Sequence, residues 1–297
     1  MSTDASLESY LLLLLSDSNL PTGGFVASSS LESYVQHGLL SSDGSKDKPS
    51  GILNFVRKSC DAYARLNLAF VAASHARVAG LSDDPSNQAL HARATSDVDA
   101  ALESLIDLDQ HIEAMTLNHV ARRASTAQGV ALLTLYERAL APVEYDATIQ
   151  AGQKPKQQQL VQALRTSIRA GKSFGHLPLG FGVLTSALGM SLGAAQHLFM
   201  FLHARSLLSS GIRLNIVGPY VAHRMLLHDV RPIVQATLEK YGNKLRVEQD
   251  VEPSAPDERL WWKRSSEDED QEPATTWPLA EILAARHDQL HSKIFNS

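Results

Sequence analysis

The sequence predicts an all-α protein, a single-domain helical bundle of about ten helices with a C-terminal tail. Three observations predict it. Apolar residues recur at helical spacing along most of the chain, as in Leu7, Tyr10, Leu11, Leu14 and Leu15, which follow i, i+3, i+4, i+7, i+8. The interruptions fall where glycine, proline or polar clusters punctuate the chain. No alternating run reads as a strand, and no repeat of fixed period is present. With 44% hydrophobic residues in 297, the chain has enough apolar material for a sizeable core.

The first pattern stops before Pro21, where Gly23 and Gly24 make a sharp, permissive turn. A serine-rich segment over 25–37 carries Leu31, Tyr34 and Val35 and ends at Gly38, a C-cap. After a polar loop over 41–50, a third helix presents Ile52, Phe55, Val56, Cys60, Tyr63, Phe70 and Val71 on its apolar face. A segment rich in alanine and leucine follows over 87–109, and a long pattern runs from 112 to 140, stopping before Pro142. Residues 150–159 read as a polar loop. Helices are expected over 157–170, 178–188, 192–209 and 219–241. Pro178 and Pro219 suit first-turn positions, where the missing N–H costs nothing, and Pro232 is expected to kink the last of these helices. Residues 242–278 form an acidic, proline-containing insertion, expected to be flexible, with Glu267-Asp268-Glu269-Asp270 and the aromatics Trp261, Trp262 and Trp277. Helical spacing resumes over 279–295 with Ile282, Leu283 and Leu290. The expected organisation is thus a helical domain over 1–241, the insertion over 242–278, and an amphipathic tail over 279–297 belonging to the helical domain.

Charge excludes one class of function. The net charge is −5, from 27 Lys and Arg against 32 Asp and Glu, with no basic stripe, so no nucleic-acid partner is expected. A lone cysteine, Cys60, cannot form an internal disulfide and fits a reducing, cytoplasmic setting. Its place on an apolar face makes it a core residue rather than a nucleophile. The first nine residues carry no basic residue and the run over 11–15 is short for a signal sequence, so the N-terminus is read as the start of the folded protein. Between Lys172 and Arg205 there is no Asp, Glu, Lys or Arg. Polar residues and the Gly-Met-Ser at 189–191 break this stretch into two core helices, and no membrane span is expected.

Catalytic signatures fail on inspection. Gly171-Lys172-Ser173 resembles the end of a phosphate-binding loop, but Thr166 stands where the motif needs another glycine, and the segment before it reads as helix rather than strand. Gly180 and Gly182 begin a G-x-G, but Thr185 replaces the third glycine. His287 and His291 are spaced i, i+4 on an expected helix, which can present two imidazoles to one metal. Asp288 replaces the glutamate a zincin helix would use, and no third ligand is evident. The same spacing suits two solvated histidines near a helix C-terminus. The rival reading to a binding protein is a helical metal-dependent enzyme or metal-binding protein using His287 and His291.

Three segments together resemble the UreF family of urease accessory proteins. The first is Leu14-Leu15-Ser16-Asp17-Ser18-Asn19-Leu20-Pro21-Thr22-Gly23-Gly24-Phe25, continuing to Ser30-Leu31-Glu32. The second is Gly175-His176-Leu177-Pro178-Leu179-Gly180-Phe181-Gly182. The third is Arg286-His287-Asp288-Gln289-Leu290-His291-Ser292-Lys293-Ile294-Phe295-Asn296-Ser297. A weaker match joins Asp107-Leu108-Asp109 with Arg122-Arg123, Ser125 and Gly129. Lys293 departs from the family's usual arginine, which keeps the charge and loses a bidentate contact. The loop over 152–159 and the acidic segment after Gly242 look like insertions and suggest a eukaryotic, fungal or plant-like branch. The resemblance implies an all-α homodimer without enzyme activity or cofactor of its own. Such a protein binds UreD (also called UreH) and recruits the GTPase UreG to apo-urease for nickel insertion. It implies partner contacts at Pro21, Gly23, Gly24, Phe25, Gly175, His176 and Pro178, and in the tail at His287, His291, Lys293 and Phe295.

Overall fold

A computed structural model describes residues 5–22, 24, 27–42, 47–81, 94–142, 155–242 and 272–296. Among these residues the fold is all-α, with no strand. The helices are α1 (Ala5–Leu15), α2 (Leu31–Gln36), α3 (Leu39–Ser42), α4 (Lys48–Ala79), α5 (Ala94–Met115), α6 (His119–Leu135), α7 (Lys156–Arg169), α8 (Leu177–Ala187), α9 (Leu192–Arg213), α10 (Pro219–Met225), α11 (Arg231–Tyr241) and α12 (Pro278–Arg286). Short π turns follow α6 (Tyr136–Leu140) and α10 (Leu226–Val230), and a 3₁₀ turn (His287–Gln289) follows α12. Two compact units result: Met1–Gly23 with Phe70–Leu117 and Arg122–Ala195, and Gly24–Ala69 with Asn118–Ala121 and Gln196–Ser297.

In the first unit α5 packs on α7, and α8 packs on both. Leu105, Leu108 and Ile112 of α5 meet a core that includes Leu160, Val161 and Leu164 of α7 and Leu179, Val183 and Leu184 of α8, all buried. Burying side chains of this kind contributes roughly 1.5–3 kcal/mol each. In the second unit α12 packs on α2. Trp277 joins Tyr34 and Phe55, with ring centroids 6.4 and 5.2 Å away, and is half-buried. Trp261, Trp262 and the acidic run at 267–270 lie outside the described residues.

The stretch between Lys172 and Arg205 divides as expected into α8 and α9, broken at Gly189, which has φ +75°. No helix among the described residues is long and apolar enough to cross a membrane. Cys60 is fully buried, and burial together with the neighbouring Asp61 charge pushes its thiol up to about 12, a poor nucleophile.

Four elements differ from expectation. The α1 face expected to be buried is split: Leu11 and Leu15 are buried, whereas Leu7, Tyr10 and Leu14 are exposed. The rotation lets the Glu8 carboxylate accept the N–H of Ser191 at 2.7 Å, at the start of α9. The break between the middle helices falls at 116–118 rather than near 110, because Asn118 caps α6. Its Oδ1 accepts the N–H groups of Val120 and Ala121 at 2.9 and 3.2 Å. The helix expected over 219–241 is divided, with the π turn Leu226–Val230 between α10 and α11 and Pro232 in the first turn of α11. Finally, the helix expected over 279–295 ends at Arg286 and its 3₁₀ turn at Gln289; the chain beyond is drawn into irregular backbone by the carboxylate described next.

Candidate functional site: two carboxylate-centred clusters

In the second unit, Glu32 of α2 is completely buried. Its Oε1 accepts the N–H of Ile294 at 2.6 Å, and its Oε2 accepts the N–H of Phe295 at 3.2 Å and pairs with Nε2 of His287 at 3.1 Å. One buried charge therefore organises backbone and imidazole from residues more than 250 positions away. A carboxylate accepts, so His287 presents Nε2–H to Glu32. Its Nδ1 is buried without a hydrogen bond and lies 4.0 Å from Asp288 Oδ1. Phe295 is buried, with the Arg213 guanidinium 4.3 Å from its ring centroid. Gln36 donates to the carbonyl of Ser292 at 2.8 Å and Ser30 to that of Ala280 at 3.1 Å. The serines reach these places because Ser29 and Ser30 adopt φ +48° and +71° before α2.

In the first unit, Asp109 of α5 is equally buried. Its Oδ2 accepts from Ser173 Oγ at 2.5 Å and from the N–H groups of Phe174 and Gly175 at 2.6 and 2.7 Å; Oδ1 accepts from the N–H of His176 at 3.0 Å. The loop between α7 and α8 is thus an anion-binding nest already filled by a side chain. This gives the Gly171-Lys172-Ser173 resemblance a physical meaning. The loop does collect N–H donors around a negative group, and the group is Asp109.

His176, at the N-cap of α8, is fully buried. Its Nε2 lies 2.9 Å from Glu113 Oε2, and its Nδ1 lies 3.2 Å from Ser125 Oγ. Nε2–H donates to the Glu113 carboxylate, Nδ1 and Ser125 Oγ share a hydrogen bond, and Ser125 Oγ accepts the N–H of Leu177 at 3.0 Å. Glu113 also pairs with Arg122 at 2.7 Å. Gly129 of α6 allows this closeness. A Cβ there would run into the carbonyl of Gly175 and sit 2.7 Å from the backbone of His176.

The residues singled out from sequence fall into three groups. Gly175, His176, Pro178, His287 and Phe295 are buried and hold backbone in place. Pro21, His291 and Lys293 are exposed, and Gly24 is half-buried. Gly23 and Phe25 lie outside the described residues. His287 and His291 do not share a helical face, since the helix ends before His291. No group of three or more His, Cys, Asp or Glu side chains among the described residues is placed to hold a metal ion. Glu32, Asp109 and Ser125 were not singled out as site residues, although they lie in the segments that carry the resemblance. Glu113 and Arg213 carried no signal. An acid set among the apolar positions of α5, beside Leu105, Leu108 and Ile112, was a further hint at Asp109.

Comparison with known proteins bears on these clusters. The profile of the UreF family matches residues 47–228. Urease accessory protein 6 of the fungus Cryptococcus neoformans var. grubii is 40% identical, across 98% of this chain and 97% of its own length. Urease accessory protein F of Arabidopsis thaliana is 26% identical, across all of this chain and 96% of its own. A protein of Schizosaccharomyces pombe described as an uncharacterized UreF-like urease accessory protein is 24% identical across 99% of this chain and all of its own. The fold, the near-complete overlap and the resemblance in its buried motifs agree, and the chain belongs to the UreF family of urease accessory proteins.

Proposed function

We propose that this chain is a non-enzymatic scaffold of urease maturation, which as a homodimer in the cytoplasm binds UreD and recruits the GTPase UreG to apo-urease. Nickel is the cargo of the assembled complex, and the chain carries no cofactor of its own. The observation that carries this reading is its likeness to an accessory protein of a fungus along nearly the full length of both chains. The two filled carboxylate sites support it. Asp109 and Glu32 spend their acceptor capacity on backbone N–H groups, hydroxyl and imidazole, which suits holding a shape more than turning over a substrate. The exposed His291 and Lys293, next to segments pinned by Glu32, are the tail's contact candidates, with His287 and Phe295 setting their backbone.

The test is co-purification with UreD and UreG from the same organism. The expected result is a stable complex with UreD that then retains UreG. A monodisperse chain that binds neither overturns the proposal. Removing residues 279–297 is expected to weaken UreD binding while the first unit stays helical by circular dichroism.

A further inference from the structure

Two consecutive residues, Asn118 and His119, hold the C-terminal segment through bonds separate from the Glu32 clasp. Both belong to the second unit, as do α12 and the residues after it. Asn118 is buried and uses both ends of its amide. Its Oδ1 caps α6 through the N–H groups of Val120 and Ala121, and its Nδ2 donates to the carbonyl of Glu281, in α12, at 2.7 Å. A capping aspartate would serve α6 equally well, but it has no donor for α12. The residue type at 118 therefore suits α12 as well as the cap.

His119 is the first residue of α6, and its side chain is 64% exposed. Its Nε2 lies 3.3 Å from Asp288 Oδ2, in the 3₁₀ turn, and Oδ1 of the same carboxylate lies 4.0 Å from Lys293 Nζ. A carboxylate accepts, so His119 presents Nε2–H to Asp288. One carboxylate thus sets an imidazole and an ammonium together at the surface. Ion pairs this exposed contribute little to stability. Their effect is to order side chains before a partner arrives, which lowers the cost of binding. Ile294, next to Lys293, is 61% exposed although Phe295 after it is buried.

We infer that the surface binding UreD is not the tail alone but extends to the start of α6, where His119 touches UreD together with Lys293 and Ile294, and Asn118 is the positioning residue for α12. The inference rests on the proposed function, which assigns residues 279–297 to UreD. His119 is continuous with that assignment through the Asp288 carboxylate. Since Nε2–H is spent on Asp288, His119 offers UreD its ring surface. The matching patch on UreD is apolar where it takes Ile294, with a carboxylate at its edge for Lys293, as in protein interfaces generally.

The test titrates purified UreD against the full chain and its variants His119→Ala, His119→Gln and Asn118→Asp. His119→Ala is expected to weaken binding about tenfold, mainly through faster dissociation. His119→Gln keeps an N–H for Asp288 and should stay within about threefold of wild type. Asn118→Asp keeps the cap and loses the donor. It is expected to weaken UreD binding about fivefold or more, while the amides of Val120 and Ala121 keep their exchange protection. A residue that only caps α6 would leave UreD affinity unchanged in this variant. Should that protection be lost, the two His119 variants decide. Wild-type affinity in all three variants, with binding abolished by removal of residues 279–297, overturns the inference and leaves the proposed function standing. Binding that survives this removal overturns the tail assignment and its extension to α6 together. A wild-type chain that does not bind UreD removes the proposed function, and this inference with it.

Discussion

The Glu32 carboxylate and the His287 imidazole meet at 3.1 Å, both buried, although 255 positions separate them in sequence. The same carboxylate holds the N–H groups of Ile294 and Phe295. Glu32→Ala would leave three donors without an acceptor in a closed environment, at about 1–3 kcal/mol for each one that cannot reach water. We predict that amide exchange at Ile294 and Phe295 becomes fast, while α5 and α8 keep their protection. Unchanged exchange at those two amides would contradict the role given to Glu32. Phe295→Ala should produce the same local release, because an unfilled slot beside Arg213 removes the apolar reason for the segment to stay.

Asp109 stands to the loop before α8 as Glu32 does to the tail. Asp109→Asn keeps the shape and removes one of two acceptor oxygens. We predict a loss of roughly 2–4 kcal/mol in urea unfolding, from at least one orphaned N–H and one weakened hydroxyl bond. A loss below about 0.5 kcal/mol would show that water takes over these donors.

Gly129→Ala places a methyl group against the backbone of Gly175 and His176. Backbone cannot rotate away as a side chain can. We predict destabilisation of about 1–3 kcal/mol, and a shift of the His176 ring resonances in an NMR spectrum, because the imidazole rides on the displaced segment. Ala127→Ser, on an exposed position of the same helix, serves as the control and should be nearly neutral.

Stability should also depend on pH through His203. This ring is buried, stacks on Tyr63 at 3.8 Å and shares a hydrogen bond with Ser59 Oγ at 3.0 Å. Burial pushes its pKa down from 6.5 to about 3. The folded state therefore binds fewer protons than the unfolded state between these values. The contribution is complete above about pH 6.5 and is lost as pH falls toward 3. Between pH 7.5 and 5.5 this amounts to roughly 1 kcal/mol. His75, whose pKa burial also lowers, adds in the same direction. The check is urea unfolding at the two pH values for wild type and His203→Gln, the variant being the less pH-dependent.

Much of the fold was legible in the sequence because helices leave periodic traces. The apolar face of α4 was read from its spacing, helices were expected where α7, α8 and α9 lie, and the Gly38 and Pro178 punctuation fell where it was expected. The break at 116–118 was missed because Asn118 caps through side-chain geometry that composition does not distinguish from an exposed asparagine. The tail was misread as one helix since Ile282, Leu283 and Leu290 keep helical spacing, while the competing acceptor, Glu32, lies far away in the chain. Likewise, the donors that Asp109 satisfies are backbone N–H groups, and every residue but proline has one. Such sites carry no residue-type signature on the donor side.

The separation of Glu32 from its donors also has a consequence for synthesis. At about 5–20 residues per second, a ribosome needs roughly 10–50 s to pass from α2 to the 3₁₀ turn. For that interval Glu32 has neither His287 nor the Ile294 and Phe295 amides. The residues of the first unit end at Ala195, so its chain is finished well before the clasp on α2 can close. We therefore expect nascent chains arrested before His287 to show a protease-resistant first unit and a protease-sensitive α2; resistance of both at that stage would mean that Glu32 finds another partner while it waits.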